Sequence, residues 1–264
     1  MRDLRDHVRK VLCLFPFEVP FLKARGVNAR FVGHPLLEQG LASYGRPRRG
    51  RGGEGARGRR IRLGILPGSR MSEVERNLPL MMEAARRIRT DMGGRSLEIT
   101  LFRGTHFPEV LLEEIAAVSG LACKIRPGTD LKARASMGLS LVASGTAALE
   151  TALLGVPMVV VYKVHPLTDA LARFLVRIPH IAMPNIILGR RAYPEMIHGN
   201  ARPDRIAAQA LAILGDPKVR AAQGKAGMEI MNKLRGPKAS EVVAGEVLRI
   251  LKRAAGAAAR GAAA

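Results

Sequence analysis

Short apolar runs alternate along the chain with longer segments that show helical periodicity. The run 139–143, Leu-Ser-Leu-Val-Ala, predicts a buried strand, and a turn at 144–146 leads from it into helix formers at 147–154. The same order of strand, turn and helix recurs from residue 61 onward. Further strands are predicted at 61–66, 97–102, 122–125 and 156–162, and further helices after a Ser72–Glu75 capping box and at 108–119, 130–136 and 166–176. This alternation indicates an α/β fold with a parallel, doubly wound sheet, in which ligands bind at the carboxyl ends of the strands.

The first 45 residues contain too few strands to form a domain by themselves. A helix is predicted at 3–10 and strands at 11–15 and 29–32, whereas a parallel sheet has to bury both of its faces. An Arg/Gly-rich segment follows, and from residue 204 on the chain is mostly helical. We therefore predict the remnant of an N-terminal domain, a linker, a complete C-terminal domain and a tail, at residues 1–45, 46–60, 61–250 and 251–264 respectively.

Two of the predicted strands end in turns that suit a phosphate group. Ser144, Gly145 and Thr146 combine two hydroxyls, a permissive glycine and the free amides of a helix N-terminus. The turn after strand 61–66 reads Pro-Gly-Ser-Arg, so Ser69 and Arg70 could face a diphosphate, which the guanidinium would bind through two parallel hydrogen bonds. The alternatives are an ordinary capped helix at 144–146 and a solvated arginine at position 70.

Three further polar side chains complete the candidate site. Glu150 lies one turn into helix 147–154, within reach of a ribose attached to the phosphate. Asn185 and Glu195 each follow a proline in a loop, which would hold both side chains rigidly toward a crevice. For Glu195 the spacing equally allows a carboxylate that stabilises a helix N-terminus.

Charge and composition narrow the classes of partner. The 264 residues carry a formal net charge of +21, from 43 Lys and Arg against 22 Asp and Glu. Such a surface attracts polyanions, whether nucleic acid, anionic lipid headgroups or phosphorylated substrates. Aromatic residues make up 4% of the chain and Trp is absent, so it lacks the stacking side chains of single-strand binders. We therefore favour a membrane surface over nucleic acid.

The spacing of cysteines and histidines argues against disulfides and metal binding. Cys13 and Cys123 stand apart among apolar neighbours, and the six histidines form no His-x-x-x-His pair. No apolar run reaches the roughly 18–20 residues of a membrane-spanning helix, and the first residues lack the apolar region of a signal peptide. The expectation from these patterns is a cytoplasmic protein without a metal site.

Several motifs resemble, in order and spacing, those of the lipid-A-disaccharide synthases. They are Leu66-Pro-Gly-Ser-Arg70 with Glu73, Val74 and Arg76, Ala143-Ser-Gly-Thr146 with Leu149 and Glu150, the run 155–162, Pro184-Asn185, Pro194-Glu195, Phe15-Pro-Phe-Glu18 and Val32-Gly-His-Pro-Leu36. The resemblance covers the chain from residue 8 to residue 250. It implies a GT-B glycosyltransferase, in which two Rossmann-like halves face a cleft. It also implies the reaction: 2,3-diacylglucosamine moves from UDP onto 2,3-diacylglucosamine 1-phosphate, which releases UDP and forms the lipid A backbone of lipopolysaccharide.

By this resemblance the C-terminal half would hold the UDP part of the donor without a metal or another cofactor. The diphosphate would contact Ser69 and Arg70 on one side and Ser144, Gly145 and Thr146 on the other. Glu150 would bind the ribose hydroxyls, and Asn185 and Glu195 would lie near the sugar or the cleft. Two positions depart from the family, which usually has Asp where this chain has Gly138 and Gln where it has His198.

The catalytic residue of the family has no counterpart in this sequence. The family's N-terminal domain opens with a glycine-rich turn and contains the acidic residue proposed as the base, and nothing before Val11 resembles it. Transfer to a hydroxyl needs a base and a site that positions the acceptor. We therefore expect a chain that binds the donor with little or no turnover.

The resemblance also implies partners, and two other functions stay open. The partners are UDP-diacylglucosamine as donor, diacylglucosamine 1-phosphate as acceptor and the anionic inner-membrane surface, on which the protein would be peripheral; a homodimer is allowed. One alternative is another GT-B enzyme that uses a UDP-sugar, such as a cell-wall glycosyltransferase or a UDP-sugar epimerase. The other is a non-catalytic basic module that binds anionic membrane or RNA through residues 46–60 and the tail. Salt-sensitive polyanion binding that survives Arg70→Ala and Glu150→Ala would reveal the basic module.

Overall fold

The structure is a computed structural model that describes residues 2–44, 60–92, 95–104, 107, 109–163 and 180–261. Its contacts divide the chain into two compact units. Unit 1 comprises Met1–Gly40 and Met231–Ala264, and unit 2 comprises Leu41–Ile230. The C-terminal segment thus belongs with the N-terminal residues by its contacts, a grouping that the sequence-based division at residues 45, 60 and 250 does not include. Those predicted domain limits stay a prediction.

Strands and helices alternate through most of the described chain. The strands are β1 (Val11–Cys13), β2 (Ala29–Phe31), β3 (Ile61–Leu66), β4 (Leu97–Arg103), β5 (Cys123–Pro127), β6 (Leu139–Ala143), β7 (Met158–Tyr162) and β8 (Glu195–Ile197). The helices are α1 (Arg2–His7), α2 (Glu18–Lys23), α3 (Pro35–Glu38), α4 (Leu41–Tyr44), α5 (Met71–Asp91), α6 (Glu109–Ala117), α7 (Leu131–Ala135), α8 (Thr146–Leu153), α9 (Met183–Leu188), α10 (Pro203–Gly215), α11 (Pro217–Leu234) and α12 (Ala239–Gly261).

Unit 2 is built on a six-stranded parallel sheet in the order β5-β4-β3-β6-β7-β8. The central strands β3, β6 and β7 consist mainly of buried apolar residues, as expected for strands covered on both faces. Helix α5 presents apolar residues at helical spacing toward the sheet, and α10 joins the same core. The shared core includes Leu63, Ile65, Val74, Leu78, Met81, Leu139, Leu141, Val159, Ile206 and Ala210. The predicted α/β class with a parallel, doubly wound sheet is confirmed.

Unit 1 contains a two-stranded parallel sheet and the C-terminal helix. Strands β1 and β2 pair with Val11 opposite Ala29, and a small apolar core includes Cys13, Leu22 and Val27. Helix α12 joins them through the buried carboxylate of Glu246, which lies 3.1 Å from Lys10 Nζ and 2.7 Å from an Arg30 guanidinium nitrogen. Strand β1 ends at Cys13, before the predicted end at residue 15, because the amide of Phe15 donates to Glu18 in a turn.

Several predicted elements differ from the structure or lie outside its described part. The capping box at Ser72 and Glu75 is wrong: α5 begins at Met71, and Glu73 is the carboxylate that reaches back to the amides before the helix. The predicted tail from residue 251 is instead part of α12, a continuous helix that ends at Gly261. The helix predicted at 166–176 falls outside the described residues.

Candidate functional site

The turns after β3 and β6, which the sequence predicts as phosphate sites, lie side by side at the carboxyl ends of the strands of the unit 2 sheet. Strands β3 and β6 are hydrogen-bonded neighbours, with Leu66 opposite Val142. From β3 the chain proceeds outward to β4 and β5 on one side of the sheet, whereas β6 is followed by β7 and β8 on the other side. The loops after β3 and β6 therefore diverge and leave a crevice, which is the position where doubly wound sheets bind their ligands.

The loop after β3 is held by Glu73 in the first turn of α5. One carboxylate oxygen accepts hydrogen bonds from the amides of Ser69 and Arg70, at 2.9 and 3.3 Å. Gly68 has a φ of 132°, and a Cβ there would meet the Glu73 side chain. The Arg70 side chain is 79% exposed and 3.4 Å from Glu73. The loop amides thus donate to Glu73 and are not available to a ligand. The exposed group that can bind an anion in this loop is the guanidinium of Arg70.

The loop after β6 presents the N-terminus of helix α8 to the crevice. Gly145 stands at the N-cap with a φ of 150° and a ψ of −160°, a conformation that only glycine adopts readily. Within the described part of the chain, the amides of Gly145, Thr146 and Ala147 have no hydrogen-bond acceptor. Ser144 is anchored, because its amide donates to Val161 O at 3.2 Å. The free amides and the helix dipole both favour an anion here.

Asn77 joins the end of β3, which borders this crevice, to the end of β7, the strand beyond β6. It is a fully buried polar residue on the apolar face of α5. Its side-chain nitrogen donates to Pro67 O at 3.1 Å, and its side-chain oxygen accepts from the Lys163 amide at 3.2 Å. The ends of β3 and β7 are therefore held by one side chain. Sequence reasoning missed Asn77, although a polar residue among the apolar positions of an amphipathic helix was an available signal.

Glu150, the predicted ribose ligand, is paired with a buried arginine. Arg134 of α7 is 5% exposed and lies 2.5 Å from the Glu150 carboxylate. The same guanidinium donates to Gly128 O and Ala147 O, at 3.0 and 3.3 Å. The Glu150 side chain keeps 21% of its surface exposed, so a carboxylate oxygen can still accept from outside. Arg134 was not identified from the sequence, because nothing in the residue spacing predicts a partner on a different helix.

Asn185 and Glu195 contact each other, and protein groups occupy most of their polar atoms. Asn185 Nδ2 donates to Tyr193 O at 2.8 Å and to Glu195 Oε1 at 2.7 Å, while Oδ1 accepts from the amides of Ala192 and Tyr193. Glu195 also accepts from the amides of Ile181 and Ala182 at the start of α9. Both side chains are buried. This geometry agrees with the alternative interpretation, in which Glu195 is a carboxylate that stabilises a helix N-terminus.

Tyr193 connects this loop to helix α11. Its hydroxyl donates to Gln223 O at 2.9 Å, and the Gln223 side chain accepts from the Met158 amide at 2.8 Å. Burial raises the pKa of Tyr193, so the hydroxyl stays protonated as a donor at neutral pH. The loop 192–195 is therefore attached to both β7 and α11.

The described residues include neither a metal-binding cluster nor a membrane-spanning helix. No three His, Cys, Asp or Glu side chains in that part of the chain are grouped so as to hold a metal ion. Of the helices that the structure describes, none combines the length and the apolar character needed to cross a membrane.

The fold is similar to that of solved glycosyltransferases and UDP-sugar epimerases. A UDP-GlcNAc 2-epimerase from Neisseria meningitidis, solved with UDP-GlcNAc bound, has a TM-score of 0.51 and 9% sequence identity, with 90% of this chain and 60% of that chain covered. The calicheamicin glycosyltransferase CalG4 has a TM-score of 0.51 and 18% identity, with 92% and 54% covered. At this level of identity the similarity establishes the fold alone.

The particular family follows from the sequence comparisons. Residues 2–244 match the lipid-A-disaccharide synthetase family, and the chain belongs to it. The lipid-A-disaccharide synthase of Anaeromyxobacter dehalogenans (strain 2CP-C) is 39% identical over 249 residues, which cover 93% of this chain and 63% of that protein. The enzyme of Syntrophus aciditrophicus (strain SB) is 36% identical over 96% of this chain and 66% of its own length. The chain thus spans a little under two thirds of the length of these relatives. The predicted family resemblance is confirmed.

Proposed function

We propose that this chain supplies the UDP-binding part of lipid A disaccharide synthesis. In that reaction 2,3-diacylglucosamine leaves UDP and is transferred to 2,3-diacylglucosamine 1-phosphate. The observation that carries the proposal is the crevice between β3 and β6, where free amides of α8 lie beside the loop of Arg70. Membership of the family supports a UDP-sugar as donor and a sugar phosphate as acceptor.

The chemistry of the crevice suits a diphosphate leaving group. When the glycosidic carbon separates from UDP, negative charge grows on the diphosphate oxygens. The α8 amides and the Arg70 guanidinium are donors already in place for that charge, and fixed donors cost little reorganisation during the reaction. The hydroxyls of Ser69, Ser144 and Thr146 would add hydrogen bonds to the same oxygens. This set of donors needs no metal ion to bind UDP.

Glu150 would accept hydrogen bonds from the ribose hydroxyls while it stays paired with Arg134. The arginine holds the carboxylate on the crevice side of α8. Asn185 and Glu195 would act as positioning residues, because their polar atoms hold the loop 192–195 and the start of α9. The donor sugar would then lie against that loop without a direct bond to either side chain.

As partners, the same proposal includes the acceptor sugar phosphate, an anionic membrane surface and a second copy of the chain. It assigns no catalytic base among the described residues. We expect this chain to bind the donor with little or no turnover. The family's substrates carry acyl chains, so a peripheral position on an anionic inner-membrane surface fits the net charge of +21.

Calorimetric titration of the purified chain with UDP tests the proposal. We expect saturable binding that weakens about tenfold in Arg70→Gln, since charge-assisted hydrogen bonds to phosphate are among the stronger polar contacts. Arg89→Gln, at the other end of α5, is a matched control and should bind like the unchanged protein. No binding to a folded chain, or equal losses in both variants, would count against the crevice. Competition by UDP-N-acetylglucosamine stronger than by a UDP-diacylglucosamine would favour a different UDP-sugar enzyme.

A further inference from the structure

A cationic cavity lies on unit 1, at the amino ends of its two strands. It has a volume of about 470 Å³ and is lined by Arg9, Lys10, Asn28, Glu246, Arg249 and Ile250. Lys10 and Asn28 directly precede β1 and β2. Nucleotides bind at the carboxyl ends of strands in doubly wound sheets. The cavity lies at the opposite, amino ends of its strands, so its position does not fit a nucleotide site.

The charges around the cavity leave a large positive excess. Lys10, Arg30 and Arg249 all contact the single carboxylate of Glu246, at 3.1, 2.7 and 2.8 Å. Arg9 lines the cavity as well, and its guanidinium has no partner among the residues that the structure describes. Four positive charges against one negative charge leave a local excess of three. Hydrogen bonds from Lys10 and Arg249 lower the pKa of Glu246 to about 2, so Glu246 carries its negative charge at neutral pH and the four cations still exceed it by three.

Glu246 organises the cations and leaves donors available for a ligand. The carboxylate is buried, whereas 54% of the Arg249 side chain and 26% of the Lys10 side chain stay exposed. Lys10 and Arg249 both line the cavity, and the contact of each with Glu246 leaves other N–H groups of the same side chain available as donors. Such an arrangement of fixed guanidinium and ammonium groups binds phosphate well.

An exposed apolar face of α12 continues directly from this cavity. Ile250 lines the cavity, and three further exposed apolar residues lie on the same side of the helix at i, i+4 spacing: Val243, Val247 and Leu251. Val247 is 48% exposed and Leu251 is 59% exposed. Lys252 adds a cation beside this face. An amphipathic helix with an exposed apolar side and flanking cations is typical of segments that lie in a membrane interface.

We propose that α12 and the adjoining cavity form a docking site for an anionic phospholipid. The phosphate of the headgroup would bind Arg9, Lys10 and Arg249, and the acyl region would pack along Val247 and Leu251. Charge complementarity supports this occupant, since an apolar partner alone would leave the excess of three positive charges without a counter-charge. The proposal deepens the membrane part of the proposed function and does not depend on the UDP site.

Co-sedimentation with vesicles tests the docking site in the full chain. Phosphatidylcholine vesicles that contain phosphatidylglycerol should bind the protein, and pure phosphatidylcholine vesicles should not. We expect Arg9→Gln to weaken binding about fivefold, since a basic residue near an anionic surface contributes about that factor. Leu251→Gln should weaken it by a similar factor, whereas the charge-matched control Arg89→Gln should not. Arg249→Gln is a second cavity variant, whose folding is checked by circular dichroism because Glu246 loses a partner.

Three outcomes would overturn the docking site. Equal losses in Arg9→Gln and Arg89→Gln, or none in either, would mean diffuse attraction between the basic chain and the vesicle. Binding of inorganic phosphate without a preference for anionic vesicles would assign the cavity to a soluble anion. A dimer that Leu251→Gln dissociates, in a protein that does not bind vesicles, would assign the apolar face to a second copy. UDP affinity, measured on the same variants, separates this result from a failure of the proposed function.

Discussion

At the scale of single residues, the pair of Arg134 and Glu150 links the candidate site to stability. Arg134 is a buried cation whose charge is balanced by the carboxylate of Glu150, the proposed ribose ligand. Removing one partner of a buried ion pair leaves the other charge unpaired, which costs more than the pair itself contributes. We therefore expect a substitution at Glu150 to change folding and ligand binding together.

Comparison of Glu150→Ala with Glu150→Gln separates these two effects. We expect Glu150→Ala to lower the free energy of unfolding by about 3 kcal/mol, because buried Arg134 loses both its counter-charge and its hydrogen-bond acceptor. Glu150→Gln also removes the charge but keeps an acceptor for Arg134, and should lower it by about 1 kcal/mol. Urea unfolding measures both values. Equal stability of the two variants would show that the acceptor does not contribute to holding Arg134, and weaker UDP binding by Glu150→Gln would support the ribose role.

Asn185→Asp tests the loop between α9 and β8 through pH. The introduced carboxyl would stand where Nδ2 now lies 2.7 Å from Glu195, so burial and the neighbouring charge would raise its folded-state pKa above the unfolded value of about 3.9. Stability is then lost as pH rises above that unfolded value. We expect a loss of about 3 kcal/mol at pH 7 that shrinks on acidification toward pH 4.

Asn185→Ala is the control for this pH dependence. It removes the same hydrogen bonds without adding a charge, so its loss of stability should hardly change over the same range. Urea unfolding at several pH values gives the comparison. A loss in Asn185→Asp that is independent of pH would show that the two carboxylates do not interact.

The residues that sequence reasoning missed are those whose role depends on distant partners. Glu150 and Arg70 could be proposed because they follow recognisable turns, whereas Arg134 and Asn77 act through contacts between helices and strand ends. Asn77 joins Pro67 to Lys163, which is 86 residues further along the chain. Local spacing carries no information about such a contact. The binding roles of the eight predicted site residues stay predictions.

At the scale of elements, the limits of β3 and β6 were predicted as the structure has them, since both are mainly apolar runs that end at a glycine-containing turn. The start of α5 was predicted wrongly, because Ser72 and Glu75 have the same spacing as Arg70 and Glu73, which make the actual contact. The loop that leads into α8 was predicted, and its glycine offers a direct test.

Gly145→Ala should disturb binding more than folding. A side chain at a φ of 150° and a ψ of −160° is strained by about 1–3 kcal/mol, although a Cβ there would meet no atom within 4 Å. We expect the loop to relax into an ordinary conformation, which moves the α8 amides and weakens UDP binding about tenfold or more. Calorimetry and thermal unfolding measure the two effects.

Gly224→Ala is the matched control for the glycine test. Gly224 lies inside α11, and a Cβ there would also meet no atom within 4 Å. Alanine at a helical glycine should keep UDP affinity and raise stability by about 0.5–1 kcal/mol. If Gly145→Ala behaves like this control, the N-terminus of α8 does not depend on the conformation of its glycine.

At the scale of the whole molecule, the grouping of the C-terminal helix was the largest difference from the sequence-based view. The sequence-based division assigned residues 61–250, and thus Glu246, to the C-terminal domain and 251–264 to a tail. In the structure α12 shares unit 1 with the N-terminal residues, and its Glu246 pairs with Lys10 and Arg30. Unit 2 has a complete sheet and the crevice. The two proposed sites therefore belong to different units, and a ligand can be used to test them separately.

Hydrogen exchange with and without UDP should show this separation. The amides at 145–147 have no acceptor in the described structure, so they should exchange rapidly in the free protein and slowly when a diphosphate accepts from them. At short exchange times we expect slowing at 67–71 and 144–148 and none in residues 2–40 or 231–261. Uridine, which lacks the diphosphate, should not slow the amides of α8. Slowing confined to α12, or equal slowing by uridine and UDP, would place the nucleotide elsewhere than at the ends of β3 and β6.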